Sequence, residues 1–139
     1  MLTYALGILQ KDKTILFSLR KNTPFFSNHY GLMGGKAEDN ELITDALIRE
    51  LYEEIGISVT KEDMDFVHCL SFTNEHGQAI LALVFKVNNW TGEIINKEPD
   101  KCAELAWLAP ENLPKNIIPR HYQIMKMIEQ GILYSESGW

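Results

Sequence analysis

Three glutamates carry the chemistry this sequence could do. Glu50, Glu53 and Glu54 fall inside residues 43–55, a stretch that reads as an amphipathic helix. At about 100° per residue, Leu47, Ile48, Leu51 and Ile55 share one broad arc. The three glutamates share another, because positions i, i+3 and i+4 lie on one face. Like charges at that spacing repel by roughly 0.2–0.5 kcal/mol per pair. A hard divalent cation reverses the sign, since the carboxylates then become ligands. Mg2+ prefers oxygen ligands and often bridges a protein carboxylate to a substrate phosphate. The face therefore points to a magnesium site for phosphate chemistry. A solvated acidic face is the other reading of three glutamates taken alone.

Two neighbouring features favour the chemistry. Gly34-Gly35 precedes the helix and is followed by Lys36. A bare backbone there can offer a carbonyl to a metal or amides to a phosphate. Arg49 adjoins Glu50 and can hold a neighbouring carboxylate in one rotamer.

These residues need a scaffold to position them. Residues 3–10 and 14–20 read as strands joined by the polar turn Lys11-Asp12-Lys13. Residues 21–29 form a loop by composition, and residues 30–33 are a short strand leading into the glycines. The helix at 43–55 is expected to stop at Gly56. Residues 65–73 and 78–87 read as strands joined at Asn74–Gly77. Residues 92–96 read as a weak strand and 103–108 as another. A second helix spans 117–130, opened by Pro119 and closed by Gly131. Strands before, between and after two helices predict a mixed α/β fold, not a regular βαβ series.

Composition sets the remaining bounds. The chain has 139 residues and a formal charge of −6, enough for one domain, expected over residues 1–139. Residues 35–57 hold seven acids and two bases, and so carry nearly all of that excess. An acidic chain does not suit an extended nucleic-acid footprint. Cys69 and Cys102 are too few for a disulfide framework and read as small core residues. The longest apolar run, residues 79–85, falls well short of the roughly 20 needed to cross a membrane as a helix. Residues 1–9 lack the features of a signal peptide. The expectation is a soluble cytoplasmic protein with no membrane partner, monomeric or homodimeric.

The residues then match a known pattern. Gly35, five residues, Glu41, seven residues and Arg49-Glu50-Leu51-Tyr52-Glu53-Glu54-Ile55-Gly56-Ile57 resemble the Nudix box, G-x5-E-x7-R-E-U-x-E-E-x-G-U with U aliphatic, at every specified position. The chain is identified on that box as a MutT-like member of the Nudix hydrolase family. The resemblance implies an α/β/α sandwich with a mixed sheet between helices. It implies Mg2+- or Mn2+-dependent hydrolysis of a nucleoside diphosphate derivative. Carried over by position, Glu50, Glu53 and Glu54 are the catalytic and metal-binding carboxylates; in some family members one of the three, here Glu50 before the others, instead polarises the attacking water. The carbonyl of Gly34 completes the metal site, and Arg49 orients a carboxylate. Gly35, Glu41 and Gly56 are structural parts of the motif. One departure stands out: Met33 occupies the place where many relatives have proline. The family also recruits an acid from outside the box, for which Glu98, Asp100 and Glu104 are the candidates.

Substrate clues are thinner. Phe25 and Phe26 could stack on a base or anchor their loop to the core. Lys36 and Arg20 could meet phosphates, and His29 sits beside the glycine loop. Asn74, Glu75, His76 and Gln78 could edge a pocket from the hairpin tip. Trp139, a large aromatic at the end of the sequence, is expected to pack on the domain or on a second subunit. The leading expectation is a (deoxy)nucleoside triphosphate, native or oxidised, split to monophosphate and pyrophosphate. The alternatives are ADP-ribose or another nucleotide sugar, a capped RNA end, and a nucleotide-binding module without catalysis.

Overall fold

The computed structural model describes residues 1–137. Seven strands, β1 (Leu2–Lys11), β2 (Thr14–Arg20), β3 (Tyr30–Lys36), β4 (Met64–Thr73), β5 (Ala79–Val87), β6 (Cys102–Leu108) and β7 (Tyr134–Ser137), form one mixed sheet in the order β6-β2-β3-β1-β5-β4-β7. Two helices complete the fold, α1 (Ile43–Ile55) and α2 (Pro119–Glu129). The Nudix sandwich expected from the box is the architecture found.

Alternation along β1 explains the layers. Ala5 and Leu9 pack on one face with Ala46, Leu47, Leu51 and Ile55 of α1. Leu6 and Ile8 pack on the other with Ile124 and Met125 of α2. Successive strand residues point to opposite faces, so one apolar strand supplies both cores. Leu47 and Leu51 are fully buried. Truncating Leu51 to Ala would leave a cavity costing about 2–5 kcal/mol.

The helix α1 has the boundaries the sequence predicts. Gly56 ends it in the left-handed region, φ +76°, and donates its N–H to the Tyr52 carbonyl. Residues 92–96, expected as a strand, are not one. The N–H of Ile95 donates to the Ile55 carbonyl and that of Lys97 to the Glu54 carbonyl. This segment spends its donors on the open carbonyls of the helix end instead of on a ladder.

Two further differences have local causes. β3 continues through both glycines to Lys36, with Gly34 opposite Leu6 and Gly35 opposite Ala5. Gly34 sits at φ +123°, and a Cβ there would lie 2.1 Å from the Ala5 carbonyl oxygen. Only glycine allows the two strands to pair this closely. Residues 134–137 form β7, parallel to β4 at the sheet edge. A fully buried His68 holds it: Nδ1 meets the Ile132 carbonyl at 2.7 Å and Nε2 the Ser135 hydroxyl at 2.8 Å. The expectation for Trp139 lies outside the described residues.

Candidate active site

Helix α1 packs across β1 and β3, and this brings two of its carboxylates against the glycines. Gly34 donates its N–H to Glu54 Oε1 at 2.9 Å. At Gly35 an added Cβ would lie 2.6 Å from Glu50 Cδ. Glu50 and Glu54 are four residues apart and so reach the same strand edge.

Arg49 braces the outer side of this corner. Its Nε and one terminal nitrogen grip both oxygens of Glu41, at 2.9 and 3.0 Å. Its other terminal nitrogen reaches Glu50 at 3.0 Å and Glu53 at 3.3 Å, and the first also reaches the Lys36 carbonyl at 3.2 Å. The Glu38 backbone N–H donates to Glu41 as well. The Arg49 guanidinium, followed by that N–H, holds the Glu41 carboxyl down at about 2. A planar five-donor fork suits this junction better than a point charge would.

The inner carboxylates are held differently. Burial dominates at Glu54 and pushes its pKa up to about 8; the Gly34 N–H opposes this, while Glu50 and Glu98 add to it. Burial also raises Glu50, against the opposing pull of Arg49, with Glu53 and Glu98 adding repulsion. Clustered carboxylates that disfavour their own ionisation are what a cation relieves. Among the described residues no three Asp, Glu, His or Cys side chains already surround one point. The donor set nonetheless fits a hard divalent ion: it is all oxygen, and burial disfavours the charge of two of its carboxylates, Glu50 and Glu54.

A cavity of about 750 Å3 opens beside Gly34 and Gly35, on the α2 side of the sheet. Tyr4, Leu6, Leu32, Phe72, Ile80 and Ile124 supply apolar wall, and Arg20 and His121 supply polar groups. Arg20 interacts electrostatically with both Glu54 and His121. It thus lines the cavity within electrostatic reach of the carboxylate cluster. Burial lowers its pKa, with the Glu54 and Tyr4 groups opposing. Such a mostly apolar concavity with a few convergent polar groups has the size and character of a small-ligand site.

The sequence-predicted residues divide among several places. Arg20, Phe25 and Phe26 line the large cavity, as do Asn74, Glu75, His76 and Gln78. Phe25 is 55% exposed, and Phe26 packs edge-on against His29 at 5.4 Å between centroids. His29 thus props the aromatic loop, with Nδ1 at 3.0 Å from the Ser27 carbonyl, and does not line the cavity. Lys36 is exposed and lines a smaller cleft of about 380 Å3 with Glu38, Asp39, Arg49 and Glu50. Of the three extra acids, Glu98 is within electrostatic reach of Glu50 and Glu54. Glu104 instead accepts a hydrogen bond from the Tyr30 hydroxyl at 2.6 Å. Asp100 meets the 21–29 loop through its backbone, accepting from Asn22 Nδ2 at 3.2 Å. Tyr4, Arg120 and His121 were not singled out from sequence. The one signal for the last two was their position just after Pro119, in the first turn of a helix.

Comparisons with known proteins agree with this geometry. The model of the NUDIX domain family matches residues 2–128. A Methanocaldococcus jannaschii protein described as an ADP-ribose pyrophosphatase is 32% identical over 109 residues, 78% of this chain and 62% of that protein. The match therefore spans less than two thirds of that relative's length. A Proteus vulgaris protein described as an 8-oxo-dGTP diphosphatase is 33% identical over 91 residues, 66% of this chain and 79% of that protein. The crystal structure of a MutT NUDIX hydrolase from Burkholderia pseudomallei superimposes with a TM-score of 0.80 at 26% identity, covering 89% of this chain and 95% of that one.

Proposed function

The chain belongs to the NUDIX domain family, and from that premise we propose that it hydrolyses the pyrophosphate bond of a (deoxy)nucleoside triphosphate, native or oxidised at the base, to a monophosphate and pyrophosphate. The observation that carries this reading is a juxtaposition. The carboxylates Glu50 and Glu54, with Glu98 within electrostatic reach, adjoin a nucleotide-sized cavity at Gly34-Gly35, and Arg20 lines that cavity while interacting with Glu54.

Each group then has a place in the reaction. Glu50, Glu53, Glu54 and the Gly34 carbonyl would hold the divalent ion, Mg2+ or Mn2+, with Glu98 as the acid recruited from outside the box. A divalent ion bound there supplies charge neutralisation for the phosphates and lowers the pKa of water. Glu50 orients and deprotonates the attacking water, kept in place by Arg49. Arg49 acts through carboxylates and is a positioning residue. Arg20 meets a phosphate oxygen, and the base enters the cavity under Phe25 and Phe26. Lys36, at the neighbouring cleft, meets the departing phosphates.

A substrate panel tests this. Nucleoside triphosphates, their oxidised forms, ADP-ribose and a capped RNA end are incubated with Mg2+ and assayed for released phosphate or pyrophosphate. Turnover of a triphosphate to monophosphate, lost in Glu53→Gln, is the expected result. Preferential turnover of ADP-ribose would replace the substrate named here. No turnover of any member, with Glu53→Gln unchanged, would leave a nucleotide-binding module.

A further inference from the structure

His121 sits in the first turn of α2 and lines the cavity. The Leu32 backbone N–H donates to its Nδ1 at 2.9 Å. A ring nitrogen that accepts a hydrogen bond carries no proton, so the imidazole is neutral and its proton is on Nε2. The ring is also wedged in place. A Cβ on Gly31 would lie 2.8 Å from Ile118 Cδ1 and 3.3 Å from His121 Nδ1, so both side chains pack closely over the bare glycine. Burial, helped by the positive charges of Arg20 and Arg120, holds the ring neutral down to about pH 3. Among the described residues Nε2 has no hydrogen-bond partner.

Of the other polar groups on the wall, the Glu75 carboxylate and the Tyr4 hydroxyl can still accept, and the rest are donors or already engaged acceptors. Arg20 and Arg120 are donors only. The Arg120 guanidinium lies 4.2 Å over the Phe72 ring. At the hairpin, Asn74 Oδ1 already accepts from the His76 and Gln78 backbone N–H groups, and Gln78 Oε1 accepts from Asn74 Nδ2. Glu75 faces His76 at 3.6 Å and interacts with Arg120.

We infer that His121 determines base specificity: its Nε2–H donates to a carbonyl oxygen of the substrate base, so the enzyme prefers 6-oxopurine and 4-oxopyrimidine nucleotides to their amino counterparts. This rests on the reading that the base occupies the cavity. Guanine presents O6 and N7 as acceptors and thymine presents O4, whereas adenine and cytosine place an amino donor at the corresponding position. An amino group facing a fixed N–H leaves two donors opposed and unpaired, and a buried site rejects that arrangement.

Two substitutions separate recognition from support. The amide of His121→Asn falls near the place of Nδ1, so it can still accept from Leu32 while the outer donor is lost. The amide of His121→Gln reaches the place of Nε2, so the donor is kept and the Leu32 contact is lost. The parent protein is expected to favour dGTP and dTTP over dATP and dCTP by about 10–100-fold in kcat/KM, mainly through KM. His121→Asn should keep the parental Tm and flatten that preference. His121→Gln should lower the Tm and keep it. An unchanged preference in His121→Asn, or a parental preference for amino bases, overturns the assignment. If the parent turns over no triphosphate, the substrate reading fails separately. Calorimetric binding of dGMP against dAMP then decides the role of His121, and equal affinities reject it.

Discussion

The backbone N–H of Gly34 donates to Glu54 Oε1 at 2.9 Å, which ties strand β3 to helix α1 through the most desolvated carboxylate of the cluster. Only one oxygen of Glu54 is engaged by that bond. A divalent ion bound to the cluster should therefore stabilise the folded protein. At a free concentration 100 times the dissociation constant the gain is about 2.7 kcal/mol. Thermal melts with and without Mg2+ read it as a rise in Tm. Glu54→Gln keeps an acceptor for Gly34 but removes the charge. It should abolish most of the Mg2+-dependent rise and lower kcat by at least about 100-fold, beyond the loss typical of a second-layer partner. An undiminished rise in Glu54→Gln would remove Glu54 from the metal site.

Arg49 contacts Glu41, Glu50 and Glu53 at once, and no lysine can reproduce that fork. Arg49→Lys keeps the charge but releases Glu50 from its rotamer. The expected result is a kcat loss of about 10–100-fold with little change in substrate KM. Tm should fall only slightly, because the contacts are partly exposed. A variant with parental kcat would show that these contacts do not position the cluster.

The neutral His121 should also appear in the pH dependence of stability. Its folded pKa is lowered to about 3 from an ordinary 6.5, by burial first and then by Arg20 and Arg120. The unfolded chain therefore binds the proton more tightly. The contribution of His121 is fully present above about pH 6.5 and is lost as the pH falls toward 3, with a slope of at most about 1.4 kcal/mol per pH unit. Urea unfolding at pH 7 and pH 5 measures it in the parent and in His121→Asn. The variant should lose less stability over that interval. Equal losses would show that the ring does not resist protonation.

The fold and the carboxylate corner were legible in the sequence for different reasons. Helix α1 was clear because its apolar arc, its acidic arc and the Gly56 stop all agree. The two-sided core was legible in the apolar run of β1. Residues 92–96 were misread because strand-like composition does not reveal which carbonyls need donors, and here the end of α1 needed them. Strand β7 was missed because it is short, polar and held by His68, a residue 64 or more positions away from its two partners. The cavity was harder still. Arg20, Tyr4, Phe72 and His121 come from four separate elements, and no local pattern announces that they meet. His121 stood in the sequence as one polar residue of a helix. Its role depends on the Leu32 N–H, 89 residues earlier in the chain.

The two glycines beside the carboxylates should respond differently to the same small change. At Gly34 a methyl group would meet the Ala5 carbonyl oxygen at 2.1 Å, in a backbone conformation with φ +123°. Both atoms that clash belong to paired strands and cannot move aside. Gly34→Ala should cost about 3 kcal/mol or more and weaken the whole fold. At Gly35 the methyl group would meet the Glu50 carboxyl group, 2.6 Å away at Cδ, which is the far end of a flexible side chain. Glu50 can swing away, at the expense of its contact with Arg49. Gly35→Ala should therefore keep a near-parental Tm and lose most of its activity, with the loss in kcat. Thermal melting and steady-state kinetics on both variants make the comparison. A folded, fully active Gly35→Ala would show that the position of Glu50 against β3 is irrelevant to the reaction.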